Sequence, residues 1–251
     1  MPETFKGRVE IIPIVSDVDP GGVDVPVYID PDPTIVLQPN TSSSNVFVAV
    51  RSGIPGTRRR DSIFLNGTHH SIYIKNHDGK DSITLDGNAG KMFLRDGEGH
   101  ESLILDGSTG DITLSNEDCA EDFDIVEDEQ IEPGSVMVIQ SEGKLKQSNL
   151  PYDKRVAGVI SGAGNYRPGI VLGKGDSKGI RKPVALLGKV YCRVDAQYSS
   201  IQVGDLLTTS ATPGHAMKAQ DPVRAFGSVL GKALRPLKTG KTLIPILIAL
   251  Q

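Results

Sequence analysis

The sequence predicts an all-β protein: a trimeric β-helix or β-prism shaft followed by a compact C-terminal β domain. The first observation behind this is an internal repeat. Ser62-Ile63-Phe64-Leu65-Asn66-Gly67 returns as Ser82-Ile83-Thr84-Leu85-Asp86-Gly87 and as Ser102-Leu103-Ile104-Leu105-Asp106-Gly107, every 20 residues. A second series is interleaved with it: Ile72-Tyr73-Ile74-Lys75, Met92-Phe93-Leu94-Arg95 and Ile112-Thr113-Leu114-Ser115. The apolar starts are therefore spaced alternately by 9 and 11 residues. A fixed period built from short apolar runs marks a repetitive β architecture. The second observation is composition, since 28 Gly, 16 Pro and no Trp, without a sustained helical period, favour short strands and many turns. The third is that Pro-Gly pairs at 133–134, 168–169 and 213–214 divide the C-terminal half into further strand-like runs.

Residues 1–60 read as an N-terminal β attachment region. Strand-like runs lie at 8–12, 34–37 and 45–50. Pro13, Pro20, Pro26, Pro31 and Pro33 interrupt them, and Asn40-Thr41-Ser42-Ser43-Ser44 reads as a loop. Arg58-Arg59-Arg60 reads as a solvated charged linker into the repeats.

Residues 61–115 are the repeat shaft. Side chains alternate across a strand, so Ile63 with Leu65, Ile72 with Ile74, Ile83 with Leu85, Met92 with Leu94, Leu103 with Leu105 and Ile112 with Leu114 share one face. Phe64, Tyr73, Thr84, Phe93, Ile104 and Thr113 face the other way. Asn66-Gly67, Asp86-Gly87, Asp96-Gly97 and Asp106-Gly107 are turn formers. A dozen apolar side chains are too few to offset the ordering of this stretch in isolation. Three chains packing the columns about one axis would bury them. A single-chain solenoid is the alternative.

Residues 116–132 are strongly acidic and read as a linker at a domain boundary. Residues 133–251 read as a compact β domain with strands at 136–140, 156–160, 170–172, 184–194, 205–208, 226–234 and 242–250. The last of these is apolar on both faces, and Pro245 argues for a place off the fully bonded centre of a sheet.

A net charge of −4 gives no footprint for a general nucleic-acid binder. Cys119 and Cys192 are too few for a disulfide framework and read as free thiols. No apolar run follows Met1, so neither a secretory signal nor membrane insertion is expected.

Other motifs carry bland readings. The Asp-Gly turns lack the doubled glycine and 9-residue period of calcium-binding β-rolls, so turn formation explains them. His69 and His70 would point to opposite faces of a strand, with Ala89 and Gly90 in the same columns one repeat on. That makes a poor metal set. Ser161-Gly162-Ala163-Gly164 lacks the ending of a phosphate loop. Ser161 with Asp153 or His215 has no nucleophile elbow. Tyr73, Tyr152, Tyr166, Tyr191 and Tyr198 would serve either as a glycan platform or as strand packing. The triplets Asn40-Thr41-Ser42 and Asn66-Gly67-Thr68 fit the glycosylation acceptor pattern. No cofactor, metal or catalytic residue is assigned from these patterns.

The Leu-Asp-Gly repeats resemble the β-helical shafts of phage tail fibres. Tyr152-Asp153-Lys154-Arg155-Val156-Ala157-Gly158-Val159-Ile160-Ser161, Pro183-Val184-Ala185-Leu186-Leu187-Gly188-Lys189-Val190, and Val203-Gly204-Asp205-Leu206-Leu207-Thr208-Thr209-Ser210 with Pro213-Gly214 resemble the C-terminal domain of phage neck-appendage and tail-spike proteins. That domain is the self-processing chaperone family called peptidase G2. The resemblance covers about half the chain. It implies a homotrimeric fibre or spike, joined at one end to a tail or baseplate-type protein and located on a virion tail or extracellular particle. A cell-surface glycan or receptor would be its other partner. Family members that cut themselves do so near a Ser-x-x-Asp-Tyr-Ala-Glu stretch, matched here by Ser115, Asp118, Ala120 and Glu121. Glu117 and Cys119 depart from that pattern. The expected function is therefore structural and non-enzymatic. Self-cleavage through Ser115, Asp118 and Glu121, or receptor binding by the C-terminal head, are the alternatives.

Overall fold

The computed structural model describes residues 10–11, 25–28, 34–39, 46–52, 60–66, 69–126, 131–175 and 179–250. Their regular structure is nearly all β, with one helical turn. The Asn40–Ser44 loop, Arg58-Arg59 and Gly67-Thr68 lie outside the described residues. The chain divides into two compact units, 1–115 and 116–251.

The first unit is one ten-stranded sheet in strict chain order. Its strands are β1 (Glu10–Ile11), β2 (Val25–Tyr28), β3 (Thr34–Pro39), β4 (Val46–Ser52), β5 (Arg60–Asn66), β6 (Ser71–Lys75), β7 (Asp81–Asp86), β8 (Lys91–Arg95), β9 (Glu101–Asp106) and β10 (Asp111–Leu114). Every neighbouring pair is antiparallel. Within one chain the repeat is thus a meander, not a single-chain solenoid, whose successive coils would pair in parallel. Sequence reading missed β2, where Pro26 interrupts the apolar pattern.

The alternating 9- and 11-residue spacing has a local cause. Asn66 pairs with Ser71, Asp86 with Lys91 and Asp106 with Asp111, which leaves four-residue turns. At the other sheet edge Lys75 pairs with Asp81 and Arg95 with Glu101, across five-residue turns followed by a bulge at Ser82 and Ser102. A bulge adds one residue to one strand and restores the facing of the next.

Each turn is tied by an Asx side chain. Asp86 Oδ1 accepts the N–H groups of Asn88 and Ala89, both at 3.0 Å. Asp96 Oδ1 accepts those of Glu98 and His100, both at 2.9 Å. The four-residue turns also bond to one another, Gly87 N–H to the His70 carbonyl at 2.8 Å and Gly107 N–H to the Gly90 carbonyl at 2.9 Å. A Cβ at Gly107 would sit 2.8 Å from that carbonyl oxygen, so only glycine permits the stacking.

The second unit contains β11 (Asp118–Asp124), β12 (Val136–Ile139), β13 (Leu145–Gln147), β14 (Val156–Ile160), β15 (Pro168–Leu172), β16 (Arg181–Asp195), β17 (Leu206–Thr209), β18 (Ala216–Lys218), α1 (Pro222–Ala225), β19 (Val229–Ala233) and β20 (Lys241–Ala249). The path β16-β18-β17-β19-β20 closes because β20 pairs again with β16, giving a five-stranded barrel. Val190, Cys192, Val194, Leu207, Ile244, Ile246 and Ile248 fill it. A second cluster, with Met137, Leu145, Ile160 and Val184, lies under β12–β14.

Two expectations are corrected here. The acidic segment is not a plain linker: β11 lies between β15 and β16 as a bonded strand. Asp118 and Ala120 turn inward, while Arg181 meets the Asp124 carboxylate at 3.4 Å and donates to the Asp122 carbonyl. The strand β20 is central, with β16 and β19 on either side. It tolerates Pro245 because β19 ends at Ala233, and the Pro245 carbonyl accepts the Leu234 N–H at 3.0 Å just beyond it.

Candidate functional site

The sheet register assembles two apolar columns on one face of the repeat sheet. Leu65, Ile72, Leu85, Met92, Leu105 and Ile112 are successive cross-strand partners in one. Ile63, Ile74, Ile83, Leu94, Leu103 and Leu114 form the other. None of the twelve is buried. Leu65, Leu85 and Leu105 keep 38, 40 and 38% of their surface open, and Ile112 keeps 67%. A contiguous apolar face of this extent marks an interaction surface. Covering what remains open is worth roughly 0.5–1 kcal/mol per side chain.

The opposite face is mixed: Phe64, Tyr73, Thr84, Phe93, Ile104 and Thr113 run across it in register, flanked by ion-paired side chains. Lys75 bonds Asp81 at 2.6 Å, Lys91 bonds Asp106 at 2.8 Å and Arg95 bonds Glu101 at 3.1 Å. The Lys91 ammonium and the Ser108 hydroxyl hold the Asp106 carboxyl well below the usual carboxylate range. Asp86 and Asp106 are thus occupied by turn N–H groups and, for Asp106, a lysine, which fits turn formation. His70 sits in a turn with φ 50°, not on a strand, at the position that Gly90 and Gly110 hold in later repeats. The two histidines are exposed. Among the described residues no cluster of three metal-ligating side chains occurs.

The self-cleavage pattern straddles the boundary of the two units, with Ser115 in the first and Asp118 and Glu121 in the second. Asp118 and Glu121 lie on opposite faces of β11, Asp118 buried and Glu121 half-buried. Ser115 belongs to the repeat unit, where its N–H bonds the Ser102 carbonyl at 3.2 Å. Asp118 instead accepts the Ser161 hydroxyl at 2.7 Å, and both side chains are buried. Burial pushes the Asp118 carboxyl above its ordinary range, against the opposing effect of the Ser161 bond. Its Oδ1 has no hydrogen-bond partner among the described residues. Sequence reading linked Ser161 to Asp153 or His215, but both are engaged elsewhere. Arg155 grips Asp153 in a bidentate pair at 2.9 and 2.7 Å, and His215 Nδ1 lies 2.7 Å from the Pro213 carbonyl.

The tyrosines of the second unit serve separate local roles. Tyr166 and Tyr191 pack with ring centres 4.8 Å apart. The Tyr152 hydroxyl accepts the Gln220 and Asp221 N–H groups, and Arg224 lies 4.3 Å above its ring. Tyr198 is exposed. Both cysteines are free, and burial pushes the Cys192 thiol far up. No helix among the described residues is long and apolar enough to cross a membrane.

No family model, curated protein or solved structure matches the chain. Any functional reading therefore rests on geometry, and the apolar face is its strongest feature.

Proposed function

We propose that the protein is a non-enzymatic structural component of a phage-tail-like extracellular appendage, working as a homotrimer. Three repeat sheets would stand as the faces of a β-prism with their apolar columns turned to a common axis. The second unit would hold the chains in register. The observation that carries this reading is the unburied apolar face of β5–β10, twelve side chains in unbroken cross-strand register. An identical partner is favoured because the pattern repeats every 20 residues, so copies of the chain can align at one height with like layers in contact. Attachment to a tail or baseplate-type protein at one end completes the proposed role.

Engineered cross-linking tests it. In a Cys119→Ser background, Leu85→Cys should give a covalent dimer on a non-reducing denaturing gel after mild oxidation. Thr84→Cys, on the opposite face, should not. Equal linking by both variants, or by neither, contradicts the prism.

A further inference from the structure

Charge is unevenly spread along the chain. Residues 133–251 hold 17 Lys and Arg against 6 Asp and Glu, which the acidic run before them hides in the net charge of −4. Several of these cations are engaged locally, Arg155 by Asp153, Arg193 by Glu132, Lys218 by Asp205 and Lys241 by Asp195. Lys189, Lys232 and Arg235 are exposed and pair with no carboxylate among the described residues. All three belong to one side of the barrel. Val190, Cys192, Ile244, Ile246 and Ile248 fill its inside, so their neighbours along β16 and β20 point out. The register then sets Leu206, Lys232, Leu247 and Lys189 in one row across β17, β19, β20 and β16. Beside the row, Lys189 Nζ lies 5.5 Å from the centre of the Tyr166 ring, and Arg235, in the β19–β20 loop, 5.9 Å from that of Tyr191. These four strands contain a single carboxylate, Asp195, and it is fully buried.

We infer that this face of the barrel binds single-stranded nucleic acid. A single strand asks two things of a surface: cations that track its phosphates, and flat apolar ground on which its unpaired bases can lie. Lys189, Lys232 and Arg235 supply the first without a carboxylate among them to repel the phosphates. Tyr166 and Tyr191, packed with ring centres 4.8 Å apart and each only partly buried, supply the second together with the exposed Leu247. A duplex keeps its bases stacked inside, and a sulfated polymer has none, so either could use the cations alone. The pairing of cations with rings is what favours the single strand over other polyanions. This inference goes beyond the shaft reading and survives its failure, because the second unit of one chain supplies the whole face.

The test is fluorescence anisotropy of a labelled oligothymidylate of about 20 nucleotides titrated with the full chain. An abasic oligomer and a duplex of the same length, and heparin, are the comparisons. The oligothymidylate should bind with micromolar affinity in about 50 mM salt and weaken roughly tenfold at about 200 mM, as the release of a few counterions requires. Lys189→Glu combined with Lys232→Glu should lower the affinity at least tenfold. Lys144→Glu, an exposed charge reversal in the β12–β13 turn, should leave it unchanged. Tyr166→Leu should weaken the oligothymidylate roughly tenfold, the loss expected of one stacked base, and leave the abasic oligomer as it was. The inference is overturned if the oligothymidylate does not bind, or if the abasic oligomer, the duplex or heparin binds as tightly. It is also overturned if the double lysine variant binds as Lys144→Glu does, or if Tyr166→Leu weakens both oligomers equally or neither.

Discussion

At the residue scale, Asp118 is a buried group of the second unit that is only half satisfied. Its carboxyl is buried with one oxygen bonded to Ser161 and the other without a partner. Because its folded-state affinity for a proton is raised, no penalty exists below the ordinary carboxylate range, where both states are protonated. Stability is lost as pH rises through the folded-state value, where the buried group must ionise. Asp118→Asn cannot ionise. Its melting temperature relative to the parent should therefore climb as pH is raised from about 4 to 8, and a pH-independent difference would contradict this account. Asp118 was legible in the sequence only as part of a cleavage pattern. Its contact with Ser161, 43 positions away, depends on β11 pairing with β16, which local sequence does not announce.

Elements were read with uneven success, for physical reasons. The six repeat strands and their shared face follow from period-2 alternation, and the register bears this out residue by residue. The bulges at Ser82 and Ser102 were implicit in the 9/11 spacing but could not be separated from turn length. The short strands Leu145–Gln147 and Ala216–Lys218 were missed because three residues carry no period. The strand predicted over 226–234 is found over Val229–Ala233, preceded by a turn of helix capped by Asp221. The acidic run became a strand because its alternate residues, not its mean charge, decide which face is buried. The stacked turns give an element-scale prediction. Gly107→Ala pushes a methyl onto the Gly90 carbonyl and should lower unfolding stability by about 1–3 kcal/mol in a denaturant titration. Gly97→Ala, with nothing within 4 Å of its Cβ position, should be near neutral. Equal effects would mean that the turn stack contributes nothing.

At the scale of the whole molecule, the two units solve burial differently. The second encloses its own core, with Leu207, Ile246 and Ile248 at 0, 0 and 1% exposure. The repeat sheet leaves its apolar columns open along β5–β10. Such a division suits a chain that completes the repeat sheet's core by association. Composition hinted at this, since a dozen short-strand side chains cannot offset the ordering of the stretch alone. The sequence left open whether the stretch was a solenoid or one wall of a larger assembly, and the antiparallel ladder favours the wall. The cleanest test is sedimentation equilibrium of the full chain over a hundredfold dilution. The account predicts one species of three times the chain mass of 26.8 kDa. A stable monomer with the apolar columns open to water would contradict it.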